Sequence, residues 1–307
     1  KMASSKYTAS EVSAKSISLM KQIIGEKENT YAALDMGPTG QLLEPMGKMT
    51  FDEAYEAFKE SAIAGEKAGA DLVIIETFSD LYEAKAAILA VKENTALPII
   101  SLMTFQSNLR TLTGTDVETS VCYLESLGVD ALGFNCGGSL EEAKALAKEF
   151  AAYASLPLVA LPNAGIPIVE KGKTIFKVEA KEFSESQKEI AQLGFSFLGG
   201  CCGTNPSHIL ALKNKTENLL PSDLINHIQK QKTKRRTSLC SAEKVVYIDN
   251  SEGSTGPVII GERINPTGKK KLKEALLKSD MTYVLDEAEK QIQAGSHILD
   301  VNVGLPE

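Results

Sequence analysis

"DLVIIETFSDLYEAKAAILAVKENTALPIISLMTF", residues 71–105, decides how the chain folds. Its first seven residues, "DLVIIET" (71–77), are a nearly unbroken apolar run. "DLYEAKAAILAVKENT" (80–95) then carries apolar residues at helical spacing, and "LPIISLMTF" (97–105) is a second apolar run with Pro98 at its start, where a missing N–H is tolerated. A strand that is apolar throughout, rather than at alternate positions, is buried on both faces, as in a parallel sheet. A helix between two such strands is the crossover of a βαβ unit.

The same beat continues outward. Before the opening stretch come a helix within the first 24 residues, a strand ending in a glycine-rich turn (30–40) and an amphipathic helix (50–69) that Thr50 or Asp52 can cap. After it come a helix (116–128), a strand (129–136), and a helix (139–154) with Ser139 as cap and Glu142 at the capping-box position. A strand (156–165), a helix (179–194), a strand (195–202) and a helix (206–216) complete the run. Six strands, each followed by a helix, plus an orphan leading helix predict an α/β fold, a (β/α)8 TIM barrel lacking its first two strands. An open doubly wound sheet is the alternative, but no G-x-G-x-x-G fingerprint accompanies it. Residues 217–256 lose the beat, apart from a short strand in "KVVYID". Then "PVIIGERINPTG" (257–268), a helical stretch (269–294) and "SHILDVNVG" (296–304) start it again, as the first strands of a second β/α barrel. The expected domains are 1–220, a linker at 221–256, and 257–307. The opening without methionine suggests a piece of a longer chain. A barrel short of two strands exposes two sheet edges, so low stability is expected of it in isolation.

Composition narrows the function. The 307 residues are 43% hydrophobic and 24% charged, ordinary for a globular protein. A net charge of −7 argues against nucleic acid or an anionic membrane as partner. The basic run "KQKTKRR" (230–236) reads as a solvated linker or, alternatively, a docking patch for an acidic partner. No stretch has the roughly 18 apolar residues of a membrane span, and "KMASSKYTAS" has no apolar signal core. Five widely spread cysteines do not make a disulfide framework; a reducing cytoplasm is expected, where cysteine tends to mean metal or catalysis.

In a β/α barrel the chemistry lies just past the C-terminal ends of the strands. Those positions are Asp35 to Thr39, Glu76, Thr77, Thr104, Asn135, Cys136, Pro162, Asn163, Cys201 and Cys202. Three of the five cysteines are among them; Cys122 falls in a helix and Cys240 in the linker. Cys136 and the Cys201–Cys202 pair end strands with one strand between them, roughly 10 Å apart at 4.7–4.9 Å per strand, in loops free to lean inward. Three converging thiolates suit one zinc ion with its fourth position open, the pattern of a catalytic site. The flanking glycines 137, 138, 199, 200 and 203 allow tight bends, and their N–H groups are expected to donate to the sulfurs. An open zinc position can bind a substrate thiol and lower its pKa, and the natural chemistry is alkyl transfer to sulfur. Against this stand two plainer readings: small buried hydrophobes, or a redox pair, although redox motifs favour C-x-x-C spacing.

"GFNCGG" (133–138) and "GGCCGT" (199–204) resemble the two zinc motifs of the homocysteine S-methyltransferase family, and "IIETFSDLYEAKAA" (74–87) its fourth-strand motif. The resemblance implies that Cys136, Cys201 and Cys202 bind zinc, that zinc binds the homocysteine sulfur, and that Glu76 contacts the homocysteine amino group; a capping or ion-paired glutamate is the plainer reading of Glu76. "GERINPTG" (261–268) and "GSHILDVNVGLPE" (295–307) resemble the start of the pterin-binding barrel of the family's cobalamin-dependent methionine synthase branch. That implies a pterin site lined by Asn265, Asp300 and Asn302. It also implies methylcobalamin as methyl donor, on a cobalamin-binding module or corrinoid protein, recharged by methyltetrahydrofolate. Nothing in the chain matches the family's first-strand "DGAMGT"-like loop. Two alternatives remain: the same zinc site served by another donor such as S-methylmethionine, and a non-catalytic barrel fragment stabilised by zinc.

Overall fold

The structure, a computed structural model, describes residues 6–219, 237–248 and 256–305. The basic run at 230–236 and most of the expected linker lie outside the described residues. By compactness the chain divides into Lys1–Arg235 with Cys240–Val245, and Arg236–Leu239 with Val246–Glu307.

The first unit begins with α1 (Ala9–Ile24), β1 (Ala33–Met36), α2 (Phe51–Lys67), β2 (Leu72–Phe78), α3 (Leu81–Asn94) and β3 (Ile99–Met103). It continues with α4 (Val117–Leu127), β4 (Ala131–Cys136), α5 (Leu140–Tyr153) and β5 (Leu158–Pro162). A small hairpin, β6 (Ile168–Glu170) and β7 (Lys173–Ile175), precedes α6 (Ala180–Gln192), β8 (Phe195–Leu198) and α7 (Pro206–Thr216). The six apolar strands form one sheet in the order β1-β2-β3-β4-β5-β8, and every pairing is parallel.

The sheet is buried on both faces, as unbroken apolar strands require. Ile100, Leu102, Ala131 and Val159, with Leu72, Ile74 and Leu161, pack together on the inner face. The intervening residues Val73, Ile75, Ile99, Leu132, Phe134, Leu158 and Ala160 pack outward into the large core shared with the helices. Gly133 has no side chain because a Cβ there would lie 1.9 Å from the Val159 carbonyl oxygen. The helix starts follow local chemistry: Thr8, Thr50 and Ser139 each form a full capping box with the glutamate three residues on. Each such cap contributes about 1 kcal/mol.

The β6–β7 hairpin was not expected. Its two-residue turn, Lys171-Gly172, has φ of 49° and 75°, the twist that joins antiparallel strands tightly. A second unexpected strand is β9 (Thr237–Cys240), paired with β10 (Val245–Ile248), which is the strand expected in "KVVYID". Cys240 therefore ends a strand, with its thiol hydrogen-bonded to Cys122 of α4.

In the second unit β11 (Ile260–Ile264) and β12 (Ile298–Val301) pair in parallel. Between them lie α8 (Lys270–Leu277) and α9 (Met281–Gln293) rather than one helix over 269–294. The chain turns at Ser279, with φ of 55°, and Asp280 caps α9. This is a single parallel crossover; a second barrel is not shown. Among the described residues, no helix is long and apolar enough to cross a membrane.

Candidate metal centre

The inner-face series of each strand runs on past the apolar layer into polar residues. Leu72 and Ile74 lead to Glu76, Ile100 and Leu102 to Thr104, Ala131 and Gly133 to Asn135, and Val159 and Leu161 to Asn163. In β1, Asp35 pairs in register with Ile74 and so belongs to the same face. The alternation that builds the inner core thus delivers a ring of carboxylates, amides and a hydroxyl to the C-terminal end of the sheet.

The cysteines sit at this end. In the sheet, β5 is the one strand between β4 and β8. Cys136 closes β4, and Cys201 and Cys202 lie in the loop after β8. Cys136 Sγ is 3.0 Å from Cys201 Sγ, Cys201 Sγ is 4.0 Å from Cys202 Sγ, and all three sulfurs lie within 4.8 Å of one another. A tetrahedral zinc with Zn–S of about 2.3 Å needs sulfurs about 3.8 Å apart. The observed spacings bracket that value, and three soft donors converging on one point fit a zinc ion. Cys136 and Cys201 are half-buried and Cys202 is exposed.

Two buried asparagines frame the sulfurs. Asn135, 1% exposed, accepts from the Thr77 N–H at Oδ1 (2.8 Å) and donates from Nδ2 to Thr77 Oγ1 (2.8 Å). Its Nδ2 also points at Cys136 Sγ (3.7 Å) and Cys201 Sγ (3.9 Å). Thr104 Oγ1 donates to the backbone and side-chain oxygens of Asn135, each at 3.3 Å. Asn163 donates to the Gly137 carbonyl (2.9 Å) and accepts from the Cys202 N–H (3.0 Å), tying the two cysteine loops together. The Cys201 N–H donates to the Pro162 carbonyl (2.9 Å), and Gln187 of α6 donates to the Gly199 carbonyl. Thr77 and Cys136 both take left-handed backbone, φ 69° and 57°. For residues other than glycine that costs on the order of 1–3 kcal/mol each, and it persists only where the surroundings over-determine it.

The electrostatics follow from this crowding. The thiol of Cys136 donates to Cys201, so Cys201 is lowered to about 6 while Cys136 is pushed well up: one sulfur keeps the proton and the other gives it up. The Cys202 N–H and the Asn135 amide also favour the Cys201 thiolate. Sequence reasoning assigned the tempering of sulfur charge to glycine N–H groups; among the described residues it comes from the Asn135 side chain and the Cys202 N–H at Cys201, and from the Thr77 hydroxyl at Cys136, instead. Glu76 is half-buried, and loss of hydration, then the Asp35 and Cys201 charges, raise it to about 7. Asp35 is reachable by solvent yet ringed by protein atoms, and desolvation raises its carboxyl too. Sequence reasoning gave no role to Asp35, Thr77, Asn135 or Asn163; the signal that points to Asp35, Asn135 and Asn163 is their place in the inner-face alternation, whereas Thr77 follows Glu76 on the other face of β2.

Of the second-unit residues, Asn265 follows β11 and Asn302 follows β12, so both lie at strand C-terminal ends; Asp300 is the penultimate residue of β12. Asn265 donates to Glu262 Oε1 (2.9 Å) and accepts from the Thr267 N–H (3.0 Å), and Asn302 accepts from the Gly304 N–H (2.9 Å). Asp300 and Asn302 are exposed.

The chain is similar to known proteins. The homocysteine S-methyltransferase family model matches residues 1–216. Methionine synthase of Mycobacterium tuberculosis is 29% identical over 280 residues, 89% of this chain but 22% of its own length. That of Mycobacterium leprae is 29% identical over 285 residues, 23% of its own length. The chain therefore spans less than a quarter of these curated relatives. Crystal structures of the homocysteine methyltransferase MmuM from Escherichia coli share the fold. The apo form has a TM-score of 0.56 at 23% identity, covering 67% of this chain and 73% of that one. The metallated form has a TM-score of 0.58 at 22% identity, covering 70% and 74%. With more than half of its residues matched by the family model, the chain belongs to the homocysteine S-methyltransferase family.

Proposed function

We propose that this chain is the homocysteine-binding part of a methionine-forming S-methyltransferase. The observation that carries the reading is the convergence of three thiol sulfurs within 4.8 Å at the C-terminal end of a parallel sheet. Cys136, Cys201 and Cys202 would hold zinc, which when bound supplies the positive charge that lowers the pKa of a substrate thiol and keeps it nucleophilic. The protein's own residues do the rest. Glu76, with Asp35 on the same face, offers carboxylate to the ammonium group of homocysteine, and an ammonium beside Glu76 returns its raised carboxyl to the ionised state. Asn135 and Asn163 keep the sulfurs and their loops in place. The exposed side of Cys202 is the approach for the amino acid and its methyl donor.

The donor is methylcobalamin, carried by a cobalamin-binding module or corrinoid protein and recharged by methyltetrahydrofolate. What favours that donor over S-methylmethionine is the resemblance of residues 261–268 and 295–307 to the start of a pterin-binding barrel; the two methionine synthase relatives, matched over 89% of this chain, extend into that region beyond the family model. On the same ground the domain plan is 1–220 for homocysteine, 221–256 as linker and 257–307 for pterin, with Asn265, Asp300 and Asn302 facing the pterin ring. The test is zinc content and zinc X-ray absorption of the intact protein with and without homocysteine. Three sulfurs and one light atom, becoming four sulfurs on addition of homocysteine, is the expected result. No zinc, or four sulfurs before any substrate, would leave the cysteines a structural or redox role.

A further inference from the structure

A thiolate-rich metal site is hard to assemble, because its ligands repel one another as they lose protons and because each must be aimed. In this molecule the aiming converges on one buried side chain. Asn135 has two amide hydrogens and one carbonyl oxygen to place. The oxygen takes the Thr77 N–H at 2.8 Å and one amide hydrogen goes to Thr77 Oγ1 at 2.8 Å. That two-point grip, with Thr104 Oγ1 at 3.3 Å, fixes the plane and the sense of the amide. The second amide hydrogen is left facing the gap between Cys136 Sγ (3.7 Å) and Cys201 Sγ (3.9 Å), which belong to loops 65 residues apart in sequence. The strained backbone at Thr77 and at Cys136 flanks this arrangement on both sides.

We infer that Asn135 is a positioning residue of the metal centre: locked by Thr77 and Thr104, its amide aims one N–H between Cys136 Sγ and Cys201 Sγ and holds both sulfurs at ligand spacing. This inference rests on the zinc reading above. The amide acts twice. It offsets negative charge on two sulfurs at once, and it keeps them from moving apart while no ion holds them. Supporting hydrogen bonds of this kind typically change metal affinity 10–100-fold.

The discriminating variant is Asn135→Asp. It keeps the shape, still accepts the Thr77 N–H, and lets the Thr77 hydroxyl donate to the new oxygen, so the grip on Thr77 survives. The N–H facing the sulfurs is lost, replaced by a carboxylate oxygen that repels them, and the Thr77 hydroxyl turns to that oxygen from Cys136 Sγ, which it otherwise meets. The measurement is the zinc dissociation constant of the intact protein by competition with a chromogenic chelator, alongside the thiolate-to-metal charge-transfer bands of the cobalt(II)-substituted form. Asn135→Asp should weaken zinc 10–100-fold and shift or weaken those bands. Should that variant fold poorly, Thr104→Val releases one side of the grip while keeping the β-branch and leaving the Thr77 hydroxyl on Cys136 Sγ in place. It should weaken zinc several-fold, and Thr104→Ser, which restores the hydroxyl, should return most of the loss; wild-type zinc affinity in Thr104→Val would count against the grip. Wild-type zinc affinity and bands in Asn135→Asp would show that Asn135 only holds the Thr77 loop, and would overturn the inference. If the unsubstituted protein takes up no zinc, the proposed function fails and the inference falls with it, an outcome distinct from the first.

Discussion

The first and second units present polar residues at the ends of parallel strands, but in different ways. At the end of the six-stranded sheet Asn135 and Asn163 are 1% and 6% exposed, and each reaches across to other strands or loops. At the end of the β11–β12 pair, Asn265 and Asn302 bond within two or three residues of themselves, and Asn302 and Asp300 are exposed. The sequence motifs are equally plain in both places. Among the described residues, what differs is the number of strands around the side chain. A buried amide must satisfy its donors and acceptor from neighbouring elements, and so becomes a strut between them. An exposed one has water to turn to, and bonds locally.

The sharpest way to break this comparison is to remove a strut. Asn163→Ala leaves the Cys202 N–H and the Gly137 carbonyl without their partner. It should cost about 1–3 kcal/mol of stability and weaken zinc about 10–100-fold, read by thermal melts and chelator competition. Asn163→Asp separates the two bonds, because it keeps the acceptor for Cys202 and drops the donor to Gly137. If Asn163→Ala melts and binds zinc as the wild type does, the two cysteine loops are held by their backbones alone.

Much of the first unit was legible in the sequence. Unbroken apolar runs such as "LVII" and "PIISLM" admit only a sheet covered on both faces, and the parallel order followed. The cysteines were found because thiols at strand ends have few other uses. The asparagines stand among the strand-end positions but carry no role in the sequence, for a physical reason: an amide carries no fixed charge, and its role depends on which face it shares. That face is readable only once register is known, when Asn135 proves to continue Ala131 and Gly133. The left-handed backbone at Thr77 and Cys136 had no local signal, since neither residue favours it; it is imposed by the packing around them. The Lys171-Gly172 turn did carry a signal, a glycine between short β-rich runs, yet it was overshadowed by the stronger beat on either side.

A smaller effect should come from Glu76. Its carboxyl sits at about 7 instead of its ordinary 4.5, first through burial and then through Asp35 and Cys201. A carboxyl with a higher pKa in the folded state favours folding below the ordinary value, and that contribution is lost as pH rises through 7. In the metal-free protein Glu76→Gln should therefore match the wild type near pH 4 and exceed it near pH 8. The difference should be on the order of 1 kcal/mol once solvent screening of a half-exposed group is allowed for. The same variant should raise KM for homocysteine more than it lowers kcat. An equal stability difference at both pH values would remove burial as the cause.

The smallest effect belongs to the second unit. Asn265→Ala removes only the bonds to Glu262 and Thr267 within its own turn. Stability should change by about 0.5 kcal/mol or less, as for surface substitutions elsewhere, and zinc affinity should not change. On the proposed pterin role, affinity of the intact protein for methyltetrahydrofolate should nevertheless fall, because a side chain that braces only its own turn is available to meet a ligand. That pairing of a small stability change with a clear loss of pterin binding is the opposite of what Asn163→Ala should do. A large stability loss in Asn265→Ala would mean that this residue, too, is a strut, and that strand number alone does not separate the two sites.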